Sequence, residues 1–167
     1  MQKILGTPFL WSATALLLVG LLAQPLLASN GQIVQQAEDL SSLGRDSSDR
    51  HIPIVLMFSS RHCEYCERLE AEFLVPMKRS GEYEDKALIR KLDLDRLTRV
   101  VDFNGEKIDA EALADRYDVD VTPTVVFLDH QGRQLAKRLI GLGNVFFYGG
   151  LLDEAIEIAH GKLHIQP

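Results

Sequence analysis

The two cysteines of this chain stand three positions apart, at Cys63 and Cys66, and their flanks narrow the architecture sharply. Before them runs Ile54-Val55-Leu56-Met57-Phe58, apolar without alternation, which predicts a strand covered on both faces. After them Leu69, Phe73 and Met77 recur at every fourth position, which predicts a helix. The pair therefore sits where a strand ends and a helix begins. Backbone N–H groups lack partners in the first turn of a helix, and the helix dipole is positive there. A thiolate at Cys63 is stabilised in that position and its pKa lowered. Cys66, one turn along on the same side, is placed to attack a mixed disulfide and release the partner. This chemistry needs no cofactor, and none is predicted.

Two other uses of this spacing stand beside the redox reading. A zinc site normally takes four ligands; there is no second cysteine pair, and of five histidines only His62 is near in sequence. No metal site is predicted. A purely structural disulfide is the other alternative, although so short a loop constrains the unfolded chain little.

The length of 167 residues suits one domain with a short extension. A net charge of −6 argues against a nucleic-acid partner. No phosphate-binding glycine loop and no HExxH motif is present. Lys3 is the only charged residue before Glu38, and Phe9 to Ala23 is almost wholly apolar. Pro25 follows, then Leu26-Leu27-Ala28 before Ser29. A positive start, an apolar middle and a small residue at the end make residues 1–28 a signal peptide, with cleavage expected after Ala28. The alternative is an uncleaved anchor, in which case this segment is the chain's contact with a membrane. Either way Lys3 favours an N-in orientation and the remaining domain, 29–167, is exported. A lone CxxC there works in a compartment where disulfides are made and broken.

Along the chain, Ile33, Ala37 and Leu40 predict an amphipathic helix over residues 32–40, and polar Gly44 to Arg50 predicts a loop. Pro76 should end or kink the helix after Cys63 somewhere between Glu72 and Pro76. Ala87 to Asp95 reads as a strand, and Val100 to Gly105 as a short strand and turn. Asp109 to Tyr117 reads as a helix. A strand follows Pro123 directly, Asp129-His130-Gln131-Gly132 makes a hairpin turn, and Gln134 to Ile140 returns. A last helix is expected over about 147–160, its start weakened by Gly149-Gly150. The order predicts an α/β fold: a mixed central sheet flanked by helices on both faces.

These pieces resemble a thioredoxin fold over roughly residues 32–163. The motifs that carry the resemblance are the strand ending in Cys63-Glu64-Tyr65-Cys66 and the stretch Tyr117-Asp118-Val119-Asp120-Val121-Thr122-Pro123-Thr124. Asp129-His130-Gln131-Gly132-Arg133 leading to Gly141, and Lys91-Leu92-Asp93-Leu94-Asp95, match further segments. The extra segment Val100 to Ile108 and the export signal are similar to periplasmic thioredoxins of the SoxW type. The resemblance implies that Cys63 attacks and Cys66 resolves, with Pro123 as a cis-proline facing them. It implies that Thr122 offers its backbone to an extended substrate segment, in the manner of strand addition, with Tyr65 beside it.

The chain departs from the family in three places. His62 replaces a tryptophan, and Glu64-Tyr65 replaces a Gly-Pro dipeptide between the cysteines. Met57 stands where the family keeps a buried carboxylate that assists proton transfer to the resolving thiol. Lys91 thereby loses its usual carboxylate neighbour and reads as a structural or solvated lysine. His62 and Arg61 favour a thiolate near Cys63, whereas Glu64 and Glu67 disfavour it. The resemblance implies a periplasmic thiol–disulfide oxidoreductase acting on disulfide-bearing exported proteins. It also implies recharging by a membrane thiol transporter of the DsbD or CcdA type. A DsbA-like oxidant, an isomerase and a non-catalytic binding module of the same fold are the alternatives.

Overall fold

The computed structural model describes residues 34–94 and 99–165. The predicted signal segment, residues 1–28, lies outside them. Among the described residues no helix is long and apolar enough to cross a membrane.

Four strands form the main sheet: β1 (Ile54–Ser59), β2 (Leu88–Asp93), β5 (Thr124–Leu128) and β6 (Gln134–Ile140), in the order β2-β1-β5-β6. β1 runs parallel to β2 and antiparallel to β5, and β5 pairs antiparallel with β6, so the sheet is mixed. Two short strands between them, β3 (Arg99–Val101) and β4 (Lys107–Asp109), pair with each other in a separate ribbon. Residues Ile54 to Phe58 are all fully buried, as the unbroken apolar run requires. Each such side chain contributes roughly 1.5–3 kcal/mol relative to staying exposed.

Alternation along β1 divides the core in two. Val55 and Met57 face a layer made by α2 (Glu64–Leu69), α3 (Val75–Ser80) and α5 (Val145–Ile165), through Leu69, Met77, Leu152 and Ile156. Ile54, Leu56 and Phe58 face α1 (Leu40–Arg50) and α4 (Ala110–Arg116), through Leu40, Leu43, Leu113 and Ala114. Helices on both faces of a mixed sheet are the predicted architecture.

Four local expectations are corrected. The predicted helix at 32–40 is extended over its described part: Gln36 bridges Lys91 in parallel, with Ala37 N–H donating to Lys91 O at 2.8 Å. Val34 and Ala37 enter opposite core clusters, which an odd spacing in an extended chain allows. The predicted loop Gly44 to Arg50 is instead the body of α1. Asp39 caps it, its carboxylate accepting from Ser42 N–H at 2.8 Å. The buried stripe of α1 is Leu40, Leu43, Gly44 and Ser47, helical in spacing but half of it not apolar. Gly44 is required there, because a Cβ would stand 2.5 Å from the carbonyl oxygen of His130. β4 was not foreseen; it holds one apolar residue, Ile108, and exists by pairing with β3. α5 begins at Val145, ahead of its glycines, because Asn144 Oδ1 accepts from Phe146 N–H at 3.0 Å.

The helix after Cys63 does not end at Pro76 but continues through it as α3. Between α2 and α3 the backbone makes one π-helical turn, Glu70–Leu74, in which Val75 N–H donates to Glu70 O. The wider turn accommodates the proline, which has no N–H to give. It also leaves Glu70 at the start of the irregular segment, which matters for the site.

Candidate active site

β1 delivers the chain to one end of the sheet, and residues 60–62 turn it into α2. His62 takes a positive φ of 56° in that turn. Cys63 is the N-cap of α2, and its sulfur accepts from Cys66 N–H at 3.1 Å. Its carbonyl oxygen accepts from Cys66 N–H and Glu67 N–H, each at 3.0 Å. Sγ of Cys63 thus lies at the positive end of the helix, where negative charge on sulfur is favoured. The two cysteines are joined in a disulfide with Cα atoms 5.2 Å apart. Cys63 is half-buried, whereas Cys66 is only 2 % exposed. An incoming sulfur reaches Cys63 first.

The loop before β5 closes the site from the other side. The Thr122–Pro123 peptide is cis, and Pro123 is buried. Thr122 Oγ1 lies 3.7 Å from Cys63 Sγ, with the hydroxyl directed at the sulfur. Ser60 Oγ holds that hydroxyl at 2.8 Å. The sequence reading assigned Thr122 a backbone role; its side chain has one as well. Ser60 was missed, because nothing local marks a hydroxyl that meets its partner 62 residues later. A groove of about 270 Å³ runs between Tyr65, Thr122, Pro123, Ile140, Leu142 and the glycines 141 and 143. Tyr65 and Ile140 are each 58 % exposed on its walls. Gly141 N–H donates to Pro123 O at 2.7 Å, which fixes one wall to the other. His62, Glu64 and Glu67 are exposed at the rim; the two glutamates lie in the first turn of α2.

Lys91, read as structural or solvated, is structural. Met57 is fully buried and pairs with Lys91 across β1 and β2, so no carboxylate comes from the strand. Lys91 is not left without one. Its Nζ lies 2.6 Å from Glu70 Oε2, with the side chains only 13 % and 22 % exposed. Glu70 follows Cys66 by one helical turn, and its N–H donates to Cys66 O. The carboxylate that pairs with Lys91 thus comes from the helix and not from the strand. The spacing Cys66 to Glu70 was visible in the sequence, but the pairing with a residue 21 positions further on was not. Among the described residues no group of three or more His, Cys, Asp or Glu side chains comes together to hold a metal.

A family profile described as a thioredoxin-like domain matches residues 46–144, from within α1 through the groove. The chain belongs to the thioredoxin-like family. Among solved structures, this thioredoxin-like chain is similar to the germline thioredoxin Deadhead of Drosophila melanogaster, at 23 % identity and a TM-score of 0.51. That likeness covers 72 % of this chain and 98 % of the other. It is also similar to thioredoxin f of spinach chloroplast, at 20 % identity and a TM-score of 0.51, over 77 % and 97 % of the two chains. At these identities the likeness establishes the thioredoxin fold. A comparison with curated proteins gives no match. The fold with its CxxC pair is consistent with thiol–disulfide oxidoreductase chemistry.

Proposed function

We propose that this thioredoxin-like protein is a periplasmic reductant of disulfides in exported proteins, of the SoxW type. The observation that carries the chemistry is the asymmetry of the two sulfurs. Cys63 is reachable and sits at a helix N-terminus under the Thr122 hydroxyl, while Cys66 is buried behind it. In the dithiol form the Cys63 thiolate attacks one sulfur of a substrate disulfide, forming a mixed disulfide and releasing the other substrate sulfur as a thiolate. Cys66, as thiolate, then attacks Cys63 Sγ. The Cys63–Cys66 disulfide forms, the second substrate thiolate leaves, and two electrons have passed to the substrate. Cys66 must shed its proton inside the protein. Glu70, one turn along and held by Lys91, is the group we assign to receive it.

The groove suits an extended segment with an apolar residue beside its cysteine. Tyr65 and Ile140 offer apolar walls, and Thr122 lines the groove, where its backbone would pair with an added strand. The disulfide state must be reduced again by an outside donor, for which a membrane thiol transporter of the DsbD or CcdA type fits an exported domain. Export itself rests on residues 1–28. Cytochrome maturation or sulfur-oxidation components are the substrates this reading favours.

The deciding experiment equilibrates the purified protein with thiol buffers of defined potential. A reductant gives a value near the thioredoxin end, about −270 mV. A value near the DsbA end, about −120 mV, would overturn the direction proposed and make the protein an oxidant. Absence of a reversible couple would leave only a binding role.

A further inference from the structure

Far along α5 from its Asn144 cap, two imidazoles meet. His160 and His164 are four residues apart on one side of the helix, so their rings meet one turn above the other. The ring centroids are 4.4 Å apart, the planes are inclined at 52°, and the two Nε2 atoms face each other at 3.3 Å. That separation has a chemical meaning. Zinc binds imidazole nitrogen at about 2.0–2.1 Å in tetrahedral geometry, which sets two nitrogens on one ion about 3.3–3.4 Å apart. The spacing in this helix matches that bite.

The backbone beneath the pair is held in place. Ala159 is fully buried in the core layer that α5 covers, and Leu163 packs against the same layer. Lys162 Nζ donates to Leu135 O at 2.5 Å, tying this turn to β6. Ala159 and Leu163 are themselves four apart, so the stripe facing the core fixes the neighbouring stripe that carries the histidines. Closing on a cation turns the rings from facing each other to facing a shared point, a rotation the exposed His164 ring has room to make. No third His, Cys, Asp or Glu converges on them among the described residues.

We propose that His160 and His164 form a bidentate site for a borderline divalent transition metal, Zn²⁺ by its bite, separate from the cysteine pair. Two imidazoles supply two of four tetrahedral positions, and water or a donor from another molecule completes the shell. The bound ion clips the last turns of α5. The site is independent of the redox reading, because it uses neither cysteine nor any residue of the groove.

The test uses the full chain with Cys63–Cys66 kept oxidised, so that thiolates cannot compete for metal. Zn²⁺ is titrated while the imidazole resonances of all five histidines are followed, and binding is counted by calorimetry. The expected result is one Zn²⁺ per chain, with His160 and His164 shifting together while His51, His62 and His130 stay unmoved. His164→Gln, an exposed and structurally mild change, should abolish the His160 shift and weaken binding at least tenfold, and His160→Gln should abolish the His164 shift and weaken binding as much. Zn²⁺ should raise the thermal midpoint of the parent and not of His164→Gln. Equal response of all five histidines, or stoichiometric binding that survives His164→Gln, overturns the proposal as an adventitious ion only. No response at saturating Zn²⁺ also overturns it, and leaves the pair as an N–H···N hydrogen bond between rings.

Discussion

Replacing Glu70 by leucine tests the Glu70–Lys91 pair most directly. The change leaves the Lys91 ammonium 13 % exposed with its ion-pair partner gone. At 2.6 Å the pair's attraction is about 6 kcal/mol if the effective dielectric constant is ~20. Most of that is offset by the cost of taking both charges out of water. Breaking one side of a fully buried pair costs roughly 3–5 kcal/mol. The residual exposure here lowers the expectation to about 2–3 kcal/mol. Glu70→Gln keeps an acceptor for Lys91 and should cost about 1 kcal/mol. Adding Lys91→Met to Glu70→Leu removes the orphaned charge, so the double variant should recover most of the loss. Urea unfolding of the oxidised protein at neutral pH reads these values from the midpoint at constant slope. If Glu70→Leu costs under about 0.5 kcal/mol, or if the two changes simply add, the pair is screened by solvent and the reasoning fails.

Other consequences concern the site and its frame. Glu70→Gln should slow the release of substrate from the mixed disulfide by roughly tenfold or more, read by rapid-quench kinetics, if the carboxylate takes the Cys66 proton. An unchanged rate would assign that proton to water. Thr122→Val removes the hydroxyl directed at Cys63 Sγ, so alkylation of the reduced protein should require higher pH than in the parent. The guanidinium of Arg116, bonded at 2.9 and 2.7 Å, holds the buried Asp102 carboxyl below the usual carboxylate range. Because the folded pKa is depressed, this contribution is complete above about pH 4 and fades as pH falls through the folded value. Asp102→Asn should therefore cost about 1–3 kcal/mol at neutral pH and flatten the acid limb of a stability–pH curve. Gly132→Ala should cost about 2–4 kcal/mol in the same unfolding assay. Its φ is 78° and a Cβ would stand 2.5 Å from the Phe103 ring, so a neutral outcome would mean that the ring moves freely.

Much of the frame was legible because its causes are local. The apolar run at Ile54 to Phe58 can only be satisfied by cover on both faces, and it has that cover. Thr124–Leu128, the Gly132 turn and Gln134–Ile140 announce a hairpin through turn chemistry that needs no distant partner. The cysteine spacing and the strand-to-helix switch place Cys63 on a helix N-terminus by chain geometry alone.

What the sequence left open depended on partners far along the chain. Residues 34–39 carry a spacing that a helix would accept, yet the edge of β2 offers them backbone hydrogen bonds, and those decide. Gly44 and Ser47 look like loop residues until the carbonyl of His130 leaves no room for a Cβ at the first and the carbonyl of Ile52 accepts from the hydroxyl of the second at 2.6 Å. Ser60 and Thr122 meet across 62 positions, and Glu70 meets Lys91 across 21. The sequence by itself determined the strand, the helix start and the placing of the cysteine pair between them, because each follows from neighbours within a few residues. Only the tertiary structure decided which hydroxyl faces the sulfur and which carboxylate pairs with Lys91. Side chains from separate elements meet only once the sheet has set those elements side by side.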